Sequence, residues 1–271
     1  MIKSNLYENI NYDSGISFLI SSYIREYDIS KANINILYKY GVISYNDYVM
    51  YFNMDKYSRE VAIGNLQKNP EVTNTLQKGI IEAKKIFFDA NNIKDKDVLA
   101  IKNDAVLLIN KIAHNTKFEN IEFINNETYT SYIKLNTNIK LFYTYDNIRK
   151  NELLDVKGIN KNNLSLHKDF FIDFLKEFFY CCENCSIDEI IDLVVNFYNL
   201  YLNLKLDINY YREFNSESMY SIKSLEKFIH SYKAITMNEK EKVYIDIRHN
   251  LDIIRYLYGI ISNIYFEKGK R

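Results

Sequence analysis

The chain has 271 residues, 47% hydrophobic and 26% charged, enough for one large domain or two modest ones and unlike a disordered protein. Lys plus Arg and Asp plus Glu both number 35, giving zero net charge. The basic excess typical of nucleic-acid binders is therefore absent from the total, and any phosphate-binding groove has to be local.

The composition is skewed toward Tyr (25 residues), with no Trp, one Pro and seven Gly. The abundance of Ile, Asn, Lys and Tyr is what AT-rich codons produce, pointing to a low-GC bacterial or phage genome. Three cysteines fall in one run, Cys181-Cys182-Glu183-Asn184-Cys185. That odd, clustered set is no disulfide framework and fits small apolar residues at a helix end in a reducing compartment. No apolar run reaches about 18 residues, and the short one at 16–20 has no small-residue cleavage site after it. The expectation is no membrane span and a place in the cytoplasm of a bacterial host cell.

In chain order, residues 1–15 are polar and read as a loose arm. Tyr23, Arg25 and Tyr27 alternate with Ile24, Glu26 and Asp28, which predicts a strand over 24–28. From Ala32 the spacing becomes helical, and Gly41 stops the short helix as a C′ residue. Residues 44–53 and 57–68 also read as helices. Pro70 suits the first turn of the next, over 71–91, where Leu76, Ile80, Ala83 and Phe87 recur at three- and four-residue intervals. Residues 31–92 are thus a helical insert between two strands.

The next stretch carries two apolar runs, 98–101 and 105–109, around Lys102-Asn103-Asp104, the pattern of a β-hairpin. Strands follow over 118–124, 129–135 and 139–145, each β-branched and aromatic, with Asn-rich turns between them. A linker over 146–163 leads to helices over 166–180, 187–204 (with Ser186 and Glu189 as a capping box), 221–232 and 239–266. The fold class expected is α+β. A mixed helix–sheet part covers residues 1–160, and an all-helical subdomain covers 161–271.

On this outline Asp28 ends a strand and Asp104 occupies a hairpin turn, 104 − 28 = 76 residues later. Basic residues of the helical insert (Lys56, Arg59, Lys68) lie between them. Two-metal phosphoryl transfer uses such parts: carboxylates on rigid elements to hold hard cations, and a cationic helix to face phosphate.

The run Tyr27-Asp28-Ile29-Ser30-Lys31-Ala32-Asn33-Ile34-Asn35-Ile36-Leu37 resembles the first palm motif of template-dependent nucleic-acid polymerases. Residues 98–109 resemble their third, the hairpin with the second Asp. Lys56-Tyr57-Ser58-Arg59 through Gly64-Asn65-Leu66-Gln67 is similar to the nucleotide-contacting helix between them. Val156-Lys157-Gly158-Ile159 resembles the palm-to-thumb passage of family B DNA polymerases. The resemblance covers about residues 20–165 and implies a palm-like N-terminal part and nucleotidyl transfer with Mg²⁺ or Mn²⁺.

By the same resemblance, Asp28 and Asp104 are the metal ligands, and Lys56 and Arg59 face the triphosphate. Asn33 stands where related enzymes screen the sugar 2′ position. Lys157 meets the primer backbone, and Tyr129 and Tyr132 form a floor beneath a duplex. The implied partners are a primer–template and nucleoside triphosphates, with the C-terminal helices open to a protein partner. Origin in a phage or mobile element accompanies this reading. The hairpin departs from the pattern in one respect: Asn103 and Ala105 flank Asp104, so it offers a single carboxylate.

Plainer readings stand beside these. Asp after a strand often caps a helix, and Asp in a hairpin is a common turn residue. Lys56 and Arg59 also suit a solvated helix face, and Tyr129 and Tyr132 suit sheet packing. At the level of function, the alternatives are a catalytically inactive palm-like protein that binds nucleic acid or a protein partner and, more distantly, a metal-dependent nuclease. Glu82-Ala83-Lys84 has the nuclease spacing but falls in a helix. The four His do not converge, and no Walker loop, G-x-S-x-G, G-x-G-x-x-G or H-E-x-x-H occurs.

Overall fold

The computed structural model describes residues 5–134, 140–146, 151–157, 171–202 and 205. Its contacts group the chain into two compact units, one of Met1–Ile16 and Ser22–Tyr129, the other of Ser17–Ser21 and Thr130–Arg271. The architecture is α+β. The expected helices over 221–232 and 239–266, and the palm-to-thumb residues Gly158 and Ile159, lie outside the described residues.

The first unit holds a six-stranded antiparallel sheet. Its strands are β1 (Asn11–Asp13), β3 (Ile24–Ile29), β4 (Val98–Lys102), β5 (Ala105–Ile109), β6 (Lys117–Phe118) and β7 (Ile121–Tyr129), in the order β1-β4-β5-β3-β7-β6. The central strand β3 pairs antiparallel with β5 on one side and β7 on the other. Because β4 and β3 both run antiparallel to β5, they are parallel to each other. The helices between them form a split β-α-β crossover.

Those helices are α1 (Ala32–Lys39), α2 (Tyr45–Asn53), α3 (Lys56–Leu66) and α4 (Pro70–Ala90). Local chemistry fixes their ends. Gly41, at φ 67°, takes the left-handed position after α1, where a Cβ would be strained. Ser44 and Asp47 form a capping box on α2, Asp55 accepts the Ser58 N–H on α3, and Asn69 caps α4 with Pro70 in its first turn. Tyr27 and Ile29 of β3 join Leu37, Leu76, Phe87, Val106 and Phe123 in the core. There Phe87 stacks on Phe123 at 4.1 Å. Glu26 and Asp28 alternate with Tyr27 and Ile29 and so leave the strand on its other face.

Two expectations for this unit need correction. The described part of the N-terminal arm is bound: Leu6–Glu8 forms a 3-10 turn, and β1 pairs with β4 through Asn11↔Lys102 and its neighbours. Polar side chains gave no pattern there, because the backbone of the edge strand supplies the partners. The strand read over 118–124 is two strands, broken at Glu119, whose φ is 51°.

The second unit has a four-stranded sheet in the order β10-β9-β8-β2, from β2 (Phe18–Leu19), β8 (Ser131–Lys134), β9 (Lys140–Asp146) and β10 (Asn151–Lys157). β10 falls within the stretch 146–163 expected to be linker. Leu153 and Leu154 are adjacent and break the alternation, yet all seven β10 residues pair with β9. From residue 171 the described chain is helical, with α5 (Phe171–Asn184) and α6 (Ile187–Leu202). Phe179 of α5 stacks on Tyr143 of β9 at 5.1 Å, and Phe174 on Phe197 of α6 at 3.7 Å. The Ser186–Glu189 capping box forms as expected, and Cys182 is buried near the end of α5, with none of the three cysteines in a disulfide.

Candidate functional site

Asp28 lies one residue before the end of β3. The β3–β5 pairing runs through Tyr27↔Val106, so continuing it sets Asp28 opposite Ala105. The β4–β5 connection is a two-residue turn, Lys102↔Ala105 closing around Asn103 and Asp104. Asn103 takes φ 53°, a left-handed conformation that Asn tolerates better than most residues. Ladder and turn together bring the Asp28 and Asp104 carboxyls within hydrogen-bonding reach of each other.

The plainer reading of Asp28 as a helix cap does not hold. The N-cap of α1 is Lys31, in left-handed conformation, and no side chain caps that end. Asp28 Oδ1 is instead buried without a hydrogen-bond partner. Oδ2 accepts a long bond from Asn126 Nδ2 at 3.5 Å. Asn126 reaches it because the β3–β7 register slips, Glu26↔Glu127 being followed by Tyr27↔Asn125. The extra residue of such a bulge is re-aimed out of the ladder.

Burial first, then the charges of Asp104 and Glu26, push the Asp28 carboxyl up to about 6. Burial raises Asp104 too, opposed by its own backbone N–H, by Asp28 and by the Lys84 ammonium. Two carboxyls this close resist ionising together, so below about pH 6 Asp28 holds a proton that Asp104 can share. Lys84, on α4, is 0% exposed. Its Nζ donates to the Asn9 carbonyl, and burial lowers it to about 8 while Asp104 pulls it back up.

The remaining candidates are placed as follows. Arg59 Nη1 donates to the Met54 carbonyl at 3.1 Å and lies near enough to Lys31 to help lower its pKa, after burial. Lys31 Nζ sits 3.1 Å from the Phe52 ring centroid and donates to the Phe52 carbonyl at 3.0 Å. Asn33 is in the first turn of α1. Lys56 is 81% exposed and pairs with Glu60 at 3.9 Å, on the solvated face rather than with Lys31 and Arg59.

Tyr129 and Tyr132 are each 1% exposed. Their ring faces are core, Tyr132 packing against Phe142 at 4.9 Å, so neither offers a stacking platform; this corrects the expectation of a duplex floor. Lys157 belongs to the second unit, with Asp155 3.7 Å from its ammonium. Glu82-Ala83-Lys84 lies within α4, which removes the nuclease geometry.

The sequence reading missed Lys31, Lys84 and Asn126. Lys84 had a signal: it stands four residues after Ile80 and three before Phe87, a charge on an apolar stripe. Lys31 had a weaker one, lying three residues after Asp28. Asn126 had none, since a bulge is set by pairing.

The chain's relatives can be compared with this arrangement. A family model described as "Bacteriophage PBS1 gene 130 protein" matches residues 1–262. The chain belongs to this phage protein family. The match spans the whole carboxylate site, all of the first unit and most of the second. Among curated proteins none matches the chain. The family description names no activity, so the chemistry has to be argued from the residues. Among the described residues no helix is long and apolar enough to cross a membrane, and no three or more His, Cys, Asp or Glu side chains converge as a metal cluster. A cation at this site would depend on the two carboxylates with backbone or substrate oxygens.

Proposed function

We propose that this phage-family chain is a small palm-containing nucleotidyltransferase, a nucleic-acid polymerase or polymerase-like protein, with Asp28 and Asp104 as ligands for Mg²⁺ or Mn²⁺. The observation that carries the reading is the meeting of these two carboxyls, one from the end of β3 and one from the β4–β5 turn, one of their oxygens buried without a donor. An unneutralised pair of this kind costs stability unless a proton or a cation resides there. Hard oxygen donors on a rigid strand and a tight turn fit a divalent cation. When bound, such ions activate the attacking hydroxyl and stabilise the leaving pyrophosphate.

The chain's own residues would divide the remaining work. Lys31 and Arg59 are adjacent cations that, among the described residues, have no carboxylate partner. They replace the Lys56–Arg59 pair as the groups that would receive the β- and γ-phosphates, because Lys56 faces solvent. The N-terminus of α1 follows immediately after Lys31, where first-turn N–H groups favour an anion. Asn33, in that turn, would border the sugar. Lys157 remains a candidate for the primer backbone.

The sheet order around β3, with the β4–β5 hairpin on one side and β7 on the other, supports the palm analogy at the level of topology; fold analogy alone does not assign chemistry. A second reading is a palm-like protein that binds nucleic acid or a protein partner without catalysis. The single hairpin carboxylate and the lack of a third acidic ligand among the described residues favour it.

Primer extension separates the two. With Mg²⁺ or Mn²⁺, a primer–template and all nucleotides, the wild-type chain extends primer, and Asp28→Asn and Asp104→Asn reduce extension at least a hundredfold. A wild-type chain inert with every metal and template leaves the binding reading.

A further inference from the structure

Lys84 is the one fully buried charged residue recorded among the described residues, and nucleotidyl transfer as drawn above does not use it. Its ammonium donates to the carbonyl of Asn9. The next carbonyl along the chain, Ile10 O, accepts the N–H of Asn103 at 2.7 Å. Asn103 is the residue before Asp104 in the β4–β5 turn. One continuous set of bonds therefore runs from the core face of α4, through the N-terminal segment, to the turn that carries the carboxylate. The segment is held again just beyond, where Asn11 pairs with Lys102.

We infer that Lys84 is a positioning residue for Asp104, acting through Asn9 and Ile10 as a strap across the hairpin turn. A buried ammonium is costly unless its donors are used. A methionine would fill much the same space without that cost, so filling the core does not explain a lysine here. What lysine adds is a fixed hold on a backbone carbonyl next to the turn and a positive charge on the Asp104 side of the pair. Rigid support of this kind decides whether a ligand side chain keeps a usable position. The inference concerns the same site as the nucleotidyltransferase reading and rests on that reading for its functional meaning. The structural link itself can be measured without metal or substrate.

The experiment compares the full-length wild type with Lys84→Met and Lys84→Arg. Two measurements are made on each: amide hydrogen exchange at Asn103, and Mn²⁺ affinity from the electron paramagnetic resonance of free ion. In Lys84→Met the Asn103 amide exchanges at least tenfold faster while Val106 and Leu108 in β5 keep their protection, and Mn²⁺ affinity falls about fivefold or more. Lys84→Arg, which keeps donor and charge, recovers at least half of both changes.

A folded Lys84→Met with wild-type exchange at Asn103 overturns the inference. So does tighter Mn²⁺ binding in that variant, the result expected of a charge that only repels the ion. If Lys84→Met does not fold, Lys84→Arg carries the test alone, and a smaller but selective acceleration at Asn103 is required. If Mn²⁺ binds none of the proteins, the nucleotidyltransferase reading fails and the exchange result alone decides the role of Lys84.

Discussion

Asp28 and Asp104 stand against each other at the end of a central strand and the tip of its neighbouring hairpin, and each is held above the ordinary carboxylate range chiefly by burial. The pair is a local conflict inside an otherwise consistent fold. Such conflicts concentrate where a protein binds or reacts.

The conflict gives stability a pH dependence with a definite sign. Asp28 has an ordinary value of 3.8 and is pushed up to about 6 in the folded chain. Between those values the native state holds more protons than the unfolded one, so unfolding free energy decreases as pH rises and levels off above about 6. The loss is on the order of 2 kcal/mol. Urea titrations from pH 4 to 7 check it, and Asp28→Asn flattens the curve.

At pH 7 the same substitution is stabilising. An amide in place of Asp28 removes the repulsion and can donate to Asp104, so Asp28→Asn raises the unfolding free energy by about 1 kcal/mol. Thermal denaturation in the absence of divalent ions measures this. A drop in stability would show that the carboxyl makes favourable contacts not accounted for by the geometry.

Tyr27 anchors β3 beside the site. Its hydroxyl accepts the Ala113 N–H at 3.0 Å, both groups being buried. Tyr27→Phe leaves that N–H without a partner and costs about 1–3 kcal/mol. A loss of melting temperature with an unchanged circular dichroism spectrum is the expected outcome.

Gly79 lets α4 approach α1. A Cβ built there would stand 2.3 Å from Ile36 Cγ2, so the helices must separate. Gly79→Ala gains about 1 kcal/mol of helix propensity and loses about 1–3 to overpacking. The expected result is net destabilisation, read from the denaturation midpoint.

The cation assignment is tested by triphosphate binding. Lys31→Ala and Arg59→Ala each weaken nucleoside triphosphate binding about fivefold or more, whereas Lys56→Ala leaves it within twofold of wild type. Isothermal calorimetry with a nonhydrolysable nucleotide makes the comparison, and an effect of Lys56 equal to that of Arg59 would return the phosphate site to the exposed helix face.

The hairpin and helices were legible because local chemistry specifies them. Two apolar runs around Asn103-Asp104 can hardly form anything but a hairpin, and Ser44, Asp55, Asn69 and Gly41 mark helix ends by their own hydrogen bonds or backbone. Strands β1 and β10 were not legible, since their partners lie far along the chain and their side chains carry no alternation. At the site, the Asp28–Asp104 meeting could be anticipated from a strand end and a turn. The bulge that presents Asn126 and the left-handed backbone at Lys31 depend on tertiary pairing. Tyr129 and Tyr132 were ambiguous for the opposite reason: an aromatic strand pattern does not say which ring faces are covered.

The central claim is that the Asp28–Asp104 pair is a divalent-cation site, and Mn²⁺ titration of the intact chain tests it most directly. Wild type at pH 7.5 takes up Mn²⁺ with micromolar to sub-millimolar affinity, and Asp28→Asn and Asp104→Asn each lose that binding while remaining folded. Equal Mn²⁺ binding by wild type and both variants, or none by wild type, contradicts it.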